Sequence, residues 1–166
     1  MSWLIEIVSK LPADVATGLL AILPVGELRL AIPVGIEVFG LRPLQAFFVS
    51  LIGNAVPALV LVFGLDWITR WANEHWAWAH KIIMMVYSRT ERVTRGKYEK
   101  YGLAALFILT AIPFPLTGVW SASVASVIFK INPKHALPAI LGGMITAGII
   151  VLALTIGTEG VVRSLT

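Results

Sequence analysis

One stretch of 28 residues, Gly102 to Phe129 (GLAALFILTAIPFPLTGVWSASVASVIF), carries no charge and yet cannot be one ordinary helix. It is long enough to cross a hydrocarbon core of about 30 Å. Pro113 and Pro115 each remove a backbone donor and crowd the preceding turn, and the residue before each is pushed out of the helical region. Gly118 then permits a tight or left-handed bend. The stretch reads as two half-helices of about 11 and about 12 residues, rising roughly 17 and 18 Å, that meet at a tip inside the membrane. The competing reading is a single kinked spanning helix, since neighbouring helices can satisfy the groups that a proline frees.

The rest of the composition agrees with a bilayer. Of 166 residues, 58% are hydrophobic and 13% charged, and the mean hydropathy is +0.87, against about 25% charged in soluble domains. The chain reads as an all-α integral membrane protein. It has no cysteine, which excludes a disulfide framework, a thiolate metal site and a thiol redox centre. Its net charge of +4 lies beside apolar segments, where it speaks of topology and anionic lipid rather than nucleic acid. There is no Gly-rich phosphate loop, catalytic triad or H-E-x-x-H, so the expectation is a protein that is not an enzyme and holds no cofactor or metal. The opening MSWLIEIVSKLP lacks the layout of a removed signal peptide.

Taken in order, Ser2 to Lys10 reads as a short interfacial helix ended by Pro12. Val15 to Gly26 is uncharged but too short to cross, and Pro24-Val25-Gly26 breaks it. Glu27-Leu28-Arg29 follows, and apolar character resumes from Leu30 to Gly40, interrupted by Pro33, Gly35 and Glu37. This repeats the half-helix, break, half-helix pattern, now with two opposite charges at the tip. Pro43 to Leu65 and Ala136 to Thr158 are each 23 residues without charge, hence full spans. Gly53, Asn54 and Pro57 lie near the middle of the first span, and Gly142, Gly143 and Gly148 give the second a small-residue face. Asp66 to Tyr101 is polar. Its Trp67, Trp71, Trp76 and Trp78 suit the headgroup zone, and Ile82, Ile83, Val86 and Tyr87 continue an amphipathic surface helix.

The order of elements repeats: broken hairpin, proline turn, span. A shift of 90 residues pairs Val34 with Val124, Phe39 with Phe129, Pro43 with Pro133, Ala46 with Ala136, Leu51 with Leu141 and Gly53 with Gly143. A re-entrant hairpin returns to its own face while the following span crosses, so the second hairpin must enter from the opposite side. The expected fold is two inverted repeats, about 13–69 and about 101–158, each a re-entrant helical hairpin plus one transmembrane helix, joined by an interfacial amphipathic linker at about 70–100. That linker carries seven basic and three acidic residues between Arg70 and Lys100. With Lys130 and Lys134, 9 of the 13 basic residues fall on one side, expected to be cytoplasmic, with both termini opposite. Broken backbone must not face lipid, which leads to the expectation of a homodimer or higher homo-oligomer.

Charges inside a membrane face a cavity or a partner, which makes Glu27 and Arg29 the leading candidates. Glu27 can carry a proton or bind a cation, Arg29 can hold an anionic group, and a structural ion pair at the tip is the open alternative. Thr110, Thr117, Ser121, Ser123 and Ser126 make the second hairpin polar without charge. Of its tip region, Thr110, Thr117 and Trp120 join the candidate substrate and proton site, and Ser123 is read as packing. Asn54 is a candidate donor to the Glu27 tip. Pro24, Gly26, Pro33, Pro113, Pro115 and Gly118 are the expected structural residues of the tips. Glu37 belongs toward the hairpin mouth, Asp14 and Asp66 at helix ends, and His75 and His80 to a solvated interface.

Glu27-Leu28-Arg29-Leu30-Ala31-Ile32-Pro33-Val34-Gly35-Ile36 resembles the first hairpin of the small multidrug export protein family. So do Gly53-Asn54 with Pro57, Tyr101-Gly102, and Ala111-Ile112-Pro113-Phe114-Pro115-Leu116-Thr117-Gly118-Val119-Trp120. With Gly142-Gly143 and Ala147-Gly148 the likeness runs from Glu27 to about Leu154. That family looks like a compact relative of the DedA (SNARE-associated, VTT) superfamily. The wider resemblance implies two re-entrant hairpins, a prokaryotic inner (plasma) membrane, and transport of lipid carriers, phospholipids or small ions with proton coupling. DedA proteins place arginines around the second-hairpin proline, where this chain has Thr110 and Leu116, so a two-arginine phosphate clamp is absent. The expected function is a small secondary transporter or exporter, proton-coupled, with its substrate site at the two tips. The alternatives are a DedA-type lipid flippase or scramblase and a non-transporting scaffold. The partners are membrane lipid and a small-molecule, ion or lipid substrate.

Overall fold

The computed structural model describes the backbone of residues 11–75, 98–113 and 118–165, and the side chains of 11–64, 101–113 and 118–158. The described residues form six helices and no strands: α1 (Ala13–Ile22), α2 (Glu27–Glu37), α3 (Pro43–His75), α4 (Tyr98–Ala111), α5 (Val119–Ile128) and α6 (Pro133–Leu165).

Proline and glycine set most of the boundaries. Leu23, just before Pro24, is extended at φ −70° and ψ 142°, as a residue preceding proline tends to be, and this ends α1. Gly26 caps the start of α2. After α2, Gly40 takes a left-handed φ of 69°, and the Leu41 N–H closes onto the Gly35 carbonyl at 2.9 Å, a helix-terminating arrangement that glycine favours. Pro43 and Pro133 each occupy the first position of a 33-residue helix, where a missing N–H has no consequence. The Asn132 side-chain oxygen accepts from the Lys134 N–H at 3.0 Å, supplying a cap for α6.

No helix runs through Gly102–Phe129. α4 ends at Ala111, and α5 begins at Val119, so the reading of one kinked helix is excluded and the half-helices are 14 and 10 residues long. One expectation changes. Pro33 is not at a tip: it lies inside α2, which continues past it because α2 packs on α1 and α3 there. A Cβ on Gly35 would come within 3.0 Å of the Thr17 hydroxyl and 3.3 Å of Ala46. The apolar part of the first span ends at Gly64, close to the expected Leu65, and α3 stays helical past it through Asp66 to His75, since neither a charge nor a tryptophan breaks a helix as proline does. The tail is likewise helical to Leu165. The Ser2–Lys10 helix, Trp76, Trp78, His80, the amphipathic residues from Ile82 to Tyr87, Pro115 and Thr117 lie outside the described residues.

α3 and α6 contain the long apolar segments Pro43–Gly64 and Pro133–Thr158, each long enough to cross a bilayer. α1 packs on α2 and α3, α4 on α6, and α5 on both α3 and α6. One apolar cluster joins Leu28, Ile32, Phe47, Val119, Ile140 and Met144. Glycines let the backbones touch: a side chain at Gly53 would collide with the Gly18 carbonyl, and one at Gly143 with the Phe107 carbonyl. Close approach through small residues is the usual glue between membrane helices. The opposite face of α3 presents Leu44, Phe48, Ile52, Val56, Leu59 and Phe63 outward.

Candidate functional site

The two helix breaks meet. Between Ile22 and Glu27 the first break is a tight turn, in which the Leu23 N–H bonds Leu20 and the Glu27 N–H bonds Leu23, both at 3.3 Å. The second break is flanked by two helix ends, with carbonyls at the end of α4 and N–H groups at the start of α5 that a helix cannot satisfy internally. The N-cap of α5 is Gly118, which offers no side-chain cap.

Both ends are satisfied from the first break. The Glu27 carboxylate accepts from the Val119 N–H and the Trp120 N–H, each at 3.2 Å. The Arg29 guanidinium donates through Nη2 to the Thr110 carbonyl at 3.2 Å and the Ile112 carbonyl at 2.9 Å. An anion thus sits at the positive end of α5 and a cation at the negative end of α4, the favourable sense of each helix dipole. The second break answers with one bond of its own: the Trp120 indole N–H donates to the Ile22 carbonyl at 3.2 Å, closing the end of α1.

Two backbone features make this fit possible. Glu27 has a φ of +53°, a left-handed value disfavoured for a side-chain-bearing residue by roughly 1–2 kcal/mol, and it is only 5% exposed. The strain sits at the residue that bridges the two breaks. Gly118 has a φ of +142°, and a Cβ there would collide with the Glu27 carboxylate. Glycine is therefore required twice at position 118, once for conformation and once for space.

The expected site residues part company here. Glu27, Arg29 and Trp120 come together, and Thr110 joins them by its carbonyl. Its hydroxyl is turned back to the Leu106 carbonyl at 2.7 Å, so it does not line a cavity. Asn54 is fully buried and makes no hydrogen bond to Glu27. Pro24, Gly26, Pro113 and Gly118 lie at the two breaks. Glu37 is exposed at the end of α2, and Asp14 is exposed near the start of α1, accepting from Gln45 at 2.7 Å. The backbone partners, Ile22, Ile112 and Val119, were not singled out from the sequence. The available signal was the lack of any Ser, Thr, Asp or Asn directly before α5, which obliges another part of the chain to cap it. Among the described residues no cluster of His, Asp and Glu is suited to a metal ion.

A family model described as "Putative small multi-drug export protein" matches residues 27–150. The chain belongs to that family. The match takes in Glu27, Arg29, Thr110, Ile112, Val119 and Trp120, while Ile22, Pro24 and Gly26 precede it. The family's description is that of a membrane exporter, a transporter rather than an enzyme, in keeping with the two long apolar helices. No curated protein and no solved structure matches the chain.

Proposed function

We propose that this exporter-family protein is a proton-coupled secondary transporter in which the two breaks are the tips of re-entrant hairpins, and that Glu27 is the switch holding the tips together. The observation that carries the reading is the bridging of the breaks by one buried carboxylate. As an anion, Glu27 accepts two backbone hydrogen bonds and faces the positive end of α5. A proton on it removes the charge, turns one oxygen into a donor and weakens both bonds. The tips then part, and solute passes between them. Protonation thereby biases two arrangements of one element, which is what a coupled switch needs.

Inverted repeats give this switch its two faces. At an offset of 90 residues, the long helices begin at Pro43 and Pro133 and have the same length. The left-handed residues Gly40 and Lys130 correspond, and so do the glycines at 53 and 143 that press on a neighbouring half-helix. Phe47, early in α3, packs on Gly148, well along α6, as antiparallel spans would. These correspondences support repeats at about 13–69 and about 101–158. On this reading residues 70–100, with their excess of basic side chains, are cytoplasmic, and the chain is a homo-oligomer in a prokaryotic inner membrane. The lipid-flippase alternative has Arg29 gripping a headgroup phosphate, and its guanidinium is instead engaged on helix-end carbonyls.

Reconstituted into liposomes with a pH difference, the protein should move a substrate found by screening cationic and neutral drugs. Glu27→Gln should flatten the pH dependence of that flux. An unchanged pH dependence in Glu27→Gln removes Glu27 from the switch.

A further inference from the structure

The interior holds a second polar feature that the tips do not use. Asn54 and Ser50 of α3 and Ser123 of α5 are completely buried. Ser50 Oγ, Ser123 Oγ and both side-chain polar atoms of Asn54 have no hydrogen-bond partner. Orphaned groups of this kind are rare in native interiors and call for a partner. Ordinary helix chemistry does not explain the two serines. Every other serine and threonine hydroxyl among the described side chains turns back onto a carbonyl three or four residues earlier: Thr17, Thr110, Thr146 and Thr155 at four, Ser121, Ser126 and Thr158 at three. That bond is open to any helical serine, and Ser50 and Ser123 decline it.

The orphans lie on the buried faces of two helices that pack together. Ser50 and Asn54 are one turn apart on the same face of α3. That face also carries Phe47, Ala58 and Val62, which share an apolar cluster with Val119 and Ala122 of α5. α3 and α5 pack together, and Ser123 follows Ala122 on the buried side of α5. Asn54 also decides the chemistry of the occupant. A cation would satisfy its Oδ1 and leave Nδ2 unpaired; an anion would do the reverse. A group that both donates and accepts satisfies both, and an uncharged one carries no charge into this buried, largely apolar surrounding.

We infer that Ser50, Asn54 and Ser123 form an internal binding site for a small uncharged hydrogen-bonding group, supplied either by water or by the polar part of a solute. The site goes beyond the proposed switch, and flux plays no part in its test, so a failed transport assay leaves it standing.

The absence of native cysteine makes the test clean. Ser123→Cys and, separately, Ser50→Cys are labelled in the purified protein with two methanethiosulfonates of similar size, one hydroxyethyl and one ethyl. Ile52→Cys, on the outward apolar face of α3, is the reference. At the reference the ethyl reagent should be faster. At Ser123→Cys and Ser50→Cys the preference should invert by several-fold, and adding Asn54→Leu should return it to the reference ratio. Acetamide, which donates and accepts, separates the sources: protection by it identifies a solute site, and labelling unaffected by it identifies water. A reference-like ratio at both cysteines, together with a higher Tm for Asn54→Leu than for the parent, would show a dry packing defect and overturn the site.

Discussion

The two breaks solve the same problem in opposite ways. The first is short, closes on itself through backbone bonds and carries both charges. The second is longer, rich in proline and without charge, and Gly118 at the start of α5 offers no side-chain cap. The first break has more polar capacity than it needs, the second has less, and Glu27 and Arg29 transfer the surplus across the contact. A charge inside a membrane protein is thus explained by the element it touches and not by the element it belongs to. In a low-dielectric interior such bonds are strong, and their loss is correspondingly severe.

The comparison can be broken from either side. Gly118→Ala should do most damage, because it adds strain at φ +142° and drives a methyl into the Glu27 carboxylate. Together these are worth about 4 kcal/mol, read as a large fall in Tm or loss of the monodisperse species in detergent. Arg29→Ala should follow, at about 3 kcal/mol, since it removes two charge-assisted bonds from the Thr110 and Ile112 carbonyls. Arg29→Lys should recover only part of this, because an ammonium lacks the planar fork. Gly53→Ala and Gly143→Ala should each lose about 2 kcal/mol by overpacking against a carbonyl. Matching losses in thermal melts would sharpen the proposed repeat, and a loss in one alone would break it. Trp120→Phe should be mildest, at about 1 kcal/mol for one indole bond.

Much of this was legible in the sequence because proline and glycine act locally. Pro24, Pro113 and Gly118 mark the breaks, and Pro43 and Pro133 mark the starts of the long helices, without reference to tertiary structure. Pro33 misled for the complementary reason: its effect depends on packing of α2 that no local rule contains. The polar side chains after Gly64 mark a possible membrane surface and do not end α3, which runs on to His75. Glu27 and Arg29 stood out as charges in apolar surroundings, and their pairing across the breaks was hidden because their partners are backbone groups with no side-chain signature. Ser123 looked like a small packing residue and Ser50 was not singled out, and only their missing bonds set them apart from the other serines and threonines.

The bridge between Glu27 and the start of α5 can be watched directly by NMR of isotope-labelled protein in nanodiscs across a pH titration. The Val119 and Trp120 amide proton shifts should move together with one midpoint, and Glu27→Gln should abolish that movement while leaving the Met144 amide unchanged. Val119 and Trp120 amides that titrate as before in Glu27→Gln, or that stay flat while Glu27 takes up its proton, would contradict the account.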